Sequence, residues 1–91
     1  MATEDTDTRR KRLLYRSWHR GTREADLLLG PFAEDHLAAM TLPQLDRFEA
    51  LLAENDADLY DWISGRAPAP PGRDSDVLRL LATFRFRPRP A

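Results

Sequence analysis

The clearest folding signal in this 91-residue sequence is the stretch MTLPQLDRFEALL at residues 40–52. It places Gln44 three residues after Thr41, the pattern of a capping box, in which each side chain accepts a hydrogen bond from the other residue's backbone N–H. Leu45 and Phe48 then begin an apolar stripe with the spacing of an α-helix. The stretch therefore predicts an amphipathic helix that starts directly after Thr41.

The same helical period recurs on both sides of this stretch and predicts four further helices, without a convincing strand. Their expected starts are near Asp7, near Gly21–Thr22, at an Asp56 N-cap and at an N-cap formed by Asp74 or Ser75. Gly65 is expected to end the fourth helix in a left-handed conformation. Pro31 removes a backbone donor, so we expect the second helix to kink or break there. The predicted fold class is all-α, a small five-helix bundle in a single domain.

Apolar residues at helical spacing are expected to form the core rather than a binding surface. A chain of this length needs most of its large apolar side chains inside, because it buries only a modest share of its surface on folding. The expected core includes Leu13, Leu14, Phe48, Leu59 and Trp62.

The helical domain is expected to run from residue 9 to residue 85, between flexible tails at 1–8 and 86–91. The first eight residues carry three acidic side chains and no apolar stretch, whereas signal peptides have an apolar core and transit peptides avoid acids. We therefore expect neither kind of leader, and a bacterial cytoplasmic location. No apolar run approaches the roughly 20 residues that cross a bilayer, so no membrane insertion is expected.

The formal net charge of −1 hides a strong asymmetry along the chain. Residues 1–23 carry seven basic and three acidic side chains, and residues 64–91 carry six basic and two acidic ones. Between them, residues 24–63 carry one basic and ten acidic side chains. Since the total conceals this alternation, we look for function where the basic segment meets the acidic one.

Composition restricts the chemistry that the chain can perform. It has no cysteine, which excludes disulfides, thiolate zinc sites and cysteine nucleophiles. Its two histidines are too few to indicate a dedicated metal cage. No metal site is expected, and no nucleophile–base constellation is visible in the sequence. We therefore expect a protein that is not an enzyme.

The segment Arg20-Gly21-Thr22-Arg23-Glu24 lies at this charge boundary, between two predicted helices. Gly21 permits a positive φ or a close backbone approach, and the Arg20 guanidinium is a rigid fork of donors for carboxylates, phosphates and carbonyls. Taken alone, the segment is more simply explained by helix capping. In that interpretation Gly21 is the N-cap, Glu24 closes a variant of the capping box, and Arg20 is solvated.

Three longer blocks of sequence favour a functional interpretation of this segment over helix capping. They are RLLYRSWHRGTREAD at residues 12–26, LLLGPFA at 27–33 and FEALLAENDADLYDWISG at 48–65. In order, spacing and total length they resemble the succinate dehydrogenase assembly-factor family, called SdhE in bacteria, which promotes covalent flavin attachment. The resemblance extends from about Arg9 to Leu81.

The resemblance implies a five-helix assembly factor that binds the flavoprotein subunit of succinate dehydrogenase and, in some bacteria, that of fumarate reductase. There it would assist the bond between a histidine of that subunit and the 8α-methyl carbon of FAD. The chemistry would occur within the client, which handles the FAD, so we expect no stably bound cofactor in this chain. We also expect a monomer when the chain is free.

The expected flavinylation motif and partner surface comprises six residues around the first helix boundary: Arg20, Gly21, Glu24, Asp26, Tyr15 and Trp18. The family's functional motif carries over to the first three of these, and the aspartate adjoins it. The two aromatic residues are added because they flank the motif within the basic segment.

The alternative is a small Arg-rich nucleic-acid-binding or antitoxin-like regulatory protein, since seven basic residues lie within residues 1–23. The acidic excess of residues 24–63 argues against it, as does the lack of a helix rich in base-reading polar side chains. We therefore expect no nucleic-acid partner.

Overall fold

The computed structural model describes residues 4–86, with side chains to residue 84, and this part of the chain contains helices and no strand. The five α-helices are α1 Thr6–Trp18, α2 Arg23–His36, α3 Leu42–Leu52, α4 Asp56–Ser64 and α5 Asp76–Phe86. A short 3₁₀ helix, Leu37–Ala39, follows α2. The predicted all-α class and the predicted number of helices are confirmed.

The chain forms two compact units, Met1–Leu45 and Asp46–Ala91. The assignment of residues 9–85 to one domain stays a prediction. The first helix begins at Thr6, within the segment expected to be an N-terminal tail. Of the tail expected at 86–91, Phe86 belongs to α5, and the remaining residues lie outside the described ones. Of the helices described, none is long and apolar enough to cross a membrane.

In the first unit, side-chain caps set the starts of both long helices. The Asp5 carboxylate accepts a hydrogen bond from the backbone N–H of Thr8 at 2.7 Å, which starts α1 and lowers the pKa of Asp5 below its ordinary value. The Thr22 hydroxyl accepts one from the N–H of Ala25 at 3.3 Å and starts α2. Both caps have the extended backbone that the N-cap position requires.

Helix α2 continues through Pro31 from Arg23 to His36, so the expectation of a break is wrong, whereas the alternative of a kink stays a prediction. Proline removes the N–H that would bond to the Leu27 carbonyl, so α2 has one backbone hydrogen bond fewer at this point. Phe32 and Ala33, directly after the proline, are buried. Burial of the helix's apolar face therefore outweighs the cost of one missing backbone bond.

The core of the first unit forms where α1 packs against α2 and the 3₁₀ helix. Leu13 of α1 and Phe32 of α2 are fully buried, and Leu29 and Leu37 are nearly so. Leu14, expected to face inward, is only half-buried because the narrow apolar face of α1 centres on its neighbour.

Arg10 joins α1 to the end of the 3₁₀ helix. Its Nε donates to the Leu37 carbonyl and its Nη2 to the Met40 carbonyl, both at 3.0 Å. The Leu37 carbonyl also accepts from the backbone N–H of Met40 at 3.2 Å, so the guanidinium adds a second bond there. Its other bond goes to the Met40 carbonyl, just after the 3₁₀ helix, where the chain's own helical donors have ended. One of the seven cations in the basic segment therefore has a structural role.

Helix α3 begins with the predicted capping box. The N–H of Thr41 donates to Gln44 Oε1 at 2.9 Å, and the N–H of Gln44 donates to Thr41 Oγ1 at 3.3 Å. Further along the helix, Leu45 and Phe48 are fully buried, as their spacing predicted.

In the second unit, α4 packs against α5. The N-cap of α4 is Asn55, whose side chain accepts from the N–H of Asp58 at 2.8 Å, so the expectation of an Asp56 cap is wrong by one residue. Asn and Asp cap about equally well, so the choice between neighbours depends on which one adopts the extended backbone. Gly65 ends α4 at φ +79°, as predicted, and Ser75 caps α5 through the N–H of Leu78.

Of the three residues in α3 and α4 that were predicted to be in the core, two are buried. Phe48 and Leu59 are buried, whereas Trp62 is half-buried. A large indole is seldom enclosed completely in a small fold, and the buried position beside it belongs to Ile63.

Replacing Arg10 by Met should destabilise the chain while keeping the apolar stem of the side chain. The substitution removes two charge-assisted hydrogen bonds to carbonyls, so we expect a loss of about 1.5–3 kcal/mol in the free energy of unfolding. Urea denaturation measures this loss. The control is Lys11→Met on the exposed neighbour, which should change stability by less than about 0.5 kcal/mol. Equal effects of the two variants would contradict the role assigned to Arg10.

Candidate functional site

The candidate site is the tight turn that connects α1 to α2. Gly21 lies within it at φ +108°, a backbone conformation that other residues rarely adopt. A Cβ added there would meet no atom within 4 Å, so the glycine is required by its backbone conformation and not by lack of space. The turn therefore presents a backbone corner that the rest of the chain does not cover.

Helix capping does not explain the motif residues. The N-cap of α2 is Thr22, not Gly21. Glu24 is exposed and forms no hydrogen bond or ion pair within the described part of the chain, so it closes no capping box. Its place in the first turn of α2 is favourable for a carboxylate, because helix N-termini attract negative charge.

A hydrogen bond from α2 holds the turn closed. The backbone N–H of Arg20 donates to Asp26 Oδ1 at 2.6 Å, and both residues are half-buried. Six residues separate this donor and acceptor, so the bond spans the whole turn. Asp26, expected to be part of the partner surface, thus has a bond within the chain that fixes the backbone of Arg20.

A shallow, open depression of about 590 Å³ lies beside the turn. Its lining residues come from the end of α1, the turn and the first turns of α2: Trp18, His19, Gly21, Thr22, Arg23, Asp26 and Leu27. Leu27 is 54% exposed, and Arg23 is exposed with no hydrogen bond or ion pair among residues 4–84. The depression thus combines apolar surface with an available cation.

The two aromatic residues predicted at the site occupy different surroundings. Tyr15 is 65% exposed and its ring stacks on the His19 imidazole, with ring centroids 3.9 Å apart. Nδ1 of His19 also lies 2.7 Å from the Tyr15 carbonyl oxygen. Trp18 is half-buried, and its ring lies against the backbone of α2 at Gly30.

Of the six predicted residues, Gly21, Asp26 and Trp18 line the depression, and Arg20 is joined to them by its backbone bond to Asp26. Glu24 lies on the first turn of α2 outside the depression, and Tyr15 lies one turn earlier on α1. Sequence reasoning missed Leu27, His19 and Gly30 as parts of this region. An isolated glycine within a helical pattern, as at residue 30, is the signal that could have identified the last of these.

Comparison with known proteins places the chain among assembly factors. Residues 11–85 match the family described as the flavinator of succinate dehydrogenase. Similar proteins include succinate dehydrogenase assembly factor 2, mitochondrial, of Candida glabrata, 42% identical over 85 residues, which are 89% of this chain and 56% of that protein. The FAD assembly factor SdhE of Acetobacter pasteurianus is 39% identical over 81 residues, covering 89% of this chain and 74% of that protein.

The chain spans only part of its longer relatives. The mitochondrial assembly factor 2 of Aspergillus terreus is 51% identical over 65 residues, 71% of this chain and 22% of that protein. Because these and other similar relatives are named as mitochondrial, the expectation of a bacterial cytoplasmic location is wrong. Location in the cell is determined by targeting segments, and the packing of the helices does not indicate it.

Replacing Gly21 by Ala should destabilise the chain through backbone strain alone, because the space for a Cβ is open. We expect a loss of about 1–2 kcal/mol in the free energy of unfolding, measured in urea. Gly72→Ala is the matched control, since a Cβ there also meets nothing within 4 Å and its φ is not in the left-handed region. That control should be neutral or slightly stabilising. A neutral Gly21→Ala would show that the positive φ is not required.

Proposed function

The chain belongs to the family described as the flavinator of succinate dehydrogenase, and on this premise we propose that it binds the flavoprotein subunit of that enzyme. Bound there, it promotes covalent attachment of FAD to a histidine of the subunit. The family match and the names of the relatives support this function over the nucleic-acid alternative.

The observation that carries the assignment to a site is the uncovered backbone corner at Gly21. Its φ of +108° turns the chain sharply between two helices, and apart from its two chain neighbours no described residue has an atom within 4 Å of where a Cβ would be. A partner surface can therefore approach the main chain more closely here than at a residue with a side chain. In this role, Gly21 allows the flavoprotein subunit to come close to the main chain of the turn.

Charged side chains on both sides of the corner orient the partner. Arg20 precedes it with a fork of donors that suits carboxylates and backbone carbonyls. Glu24 follows it, exposed and without an internal partner among the described residues, and so can accept hydrogen bonds from a basic group of the flavoprotein. Paired charges of opposite sign define a binding orientation better than one charge does.

The chemical step is assigned to the client. Forming a bond between a histidine nitrogen and the flavin 8α carbon requires the two atoms to be held in a near-attack geometry. Of the carboxylates in the motif, Glu24 is exposed to solvent and Asp26 accepts a hydrogen bond from Arg20. Neither has the enclosure that tunes a general acid or base. The chain therefore acts by stabilising the reactive arrangement of the flavoprotein, without itself being a catalyst.

We assign the FAD to the client as well. Gly21, Gly30, Gly65 and Gly72 are dispersed along the sequence and cannot form one phosphate-binding loop. The shallow depression at the turn is suited to a side chain of a partner protein, because it combines exposed apolar surface with the Arg23 cation, which has no ion pair among the described residues. We further propose that the free chain is a monomer.

Coexpression with the flavoprotein subunit of succinate dehydrogenase tests the function and the site together. Arg20→Ala and Glu24→Ala should each lower covalent flavinylation about tenfold or more, because misplacement of reacting groups has effects of that order. In-gel flavin fluorescence measures the product, and coprecipitation of the two proteins measures binding.

Two control variants match these substitutions. Glu34→Ala removes an exposed acid from the same helix, and Arg66→Ala removes an arginine whose side chain is 80% exposed. With either control variant, the coexpressed flavoprotein should be flavinylated to the normal extent. Normal flavinylation by Arg20→Ala and Glu24→Ala would refute the site. Equal flavinylation with and without the wild-type chain would refute the function itself.

A further inference from the structure

One face of α2 contacts the chain at two points just before Gly21. Asp26 and Gly30 are four residues apart in the helix and therefore lie on the same face, one turn above the other. Asp26 accepts the hydrogen bond from the N–H of Arg20. Gly30 contacts Trp18, the last residue of α1. The chain just before Gly21 is thus attached to α2 at two points, the Trp18 ring at the end of α1 and the backbone N–H of Arg20.

The contact at Gly30 depends on the absence of a side chain. A Cβ built there would collide with three ring atoms of the Trp18 indole, all of them in its six-membered ring or at the ring fusion. The Trp18 ring lies so close to the Gly30 backbone that there is no room for even a methyl group. Because the ring is rigid, it cannot bend to make room. Any larger residue at position 30 must therefore displace the whole indole or separate the two helices.

The position of the Trp18 indole in turn affects the candidate site. The side chain is half-buried, and it lines the depression beside the turn while also lying against α2. Gly30 is itself buried and does not line the depression, so it cannot touch a partner protein. An effect of Gly30 on function must pass through Trp18.

We infer that Asp26 and Gly30 are positioning residues for flavinylation, forming a two-point seat on α2 that holds the turn and the Trp18 indole in their binding geometry. The inference rests on the proposed function. It changes the role of Asp26, which supports the main chain of Arg20 instead of contacting the client through its charge. It also adds Gly30, which lies outside the motif.

A double-mutant cycle tests the role of Gly30. Gly30→Ala should lower flavinylation of the coexpressed flavoprotein about tenfold or more, and Trp18→Ala should lower it less. In the Trp18→Ala background, adding Gly30→Ala should cause no further loss, because the colliding ring is gone. A second loss of equal size in that background would overturn the inference. Gly72→Ala is the control and should flavinylate normally.

Fluorescence reports the position of the indole directly. The chain has two tryptophans, so a Trp62→Phe background leaves Trp18 as the only one, and selective excitation of tryptophan over tyrosine then reports on this indole. Gly30→Ala should shift its emission to longer wavelength as the ring moves into water, whereas Gly72→Ala should leave it unchanged. An unshifted emission spectrum would contradict the inference that Gly30 positions the Trp18 indole. Should Gly30→Ala fail to fold by circular dichroism, the Gly30→Ala/Trp18→Ala variant should still fold and match Trp18→Ala.

The role of Asp26 is tested by comparing two substitutions. Asp26→Asn keeps an oxygen that can accept from the Arg20 N–H and should retain most flavinylation, whereas Asp26→Ala should lose about tenfold or more. Equal losses would show that the charge matters and would overturn the positioning role. Absence of any flavinylation by the wild-type chain would instead refute the proposed function, which separates the two failures.

Discussion

The contact of the Trp18 indole with the backbone of Gly30 is the constraint on which the first unit's functional end depends. It brings the last residue of α1 against the middle of α2 with no side chain between them. The turn between the helices must therefore be short and sharp, which is why it needs a residue at φ +108°. Gly21 meets that requirement, and the exposed corner results from the packing.

Both local and long-range interactions stabilise the first unit. Thr22 caps α2 through its own first turn, an interaction between near neighbours in the sequence. Asp26 reaches back across the turn to the N–H of Arg20, and Arg10 binds carbonyls about thirty residues away. These longer bonds use charged side chains as structural donors and acceptors. A charge in a basic or acidic segment is therefore not by itself a sign of a binding surface.

Predictions from sequence succeeded where the interactions are local. The capping box of Thr41 and Gln44 and the left-handed end at Gly65 involve residues within one helical turn, so the pattern contains all that is needed. Two predictions were wrong where alternatives were close in energy. Asn55 caps in place of its neighbour, and burial around Pro31 keeps α2 intact.

The sequence alone was sufficient for the all-α class, the five helices and the family resemblance, because periodicity, caps and motif spacing are properties of residues near one another in the chain. It was not sufficient for the seat at Gly30 or for the bond that engages Asp26. Both depend on which face of α2 the end of α1 packs against, and side-chain spacing within either helix does not specify that pairing. Packing therefore decided which motif residues are available to a partner and which hold the turn in place.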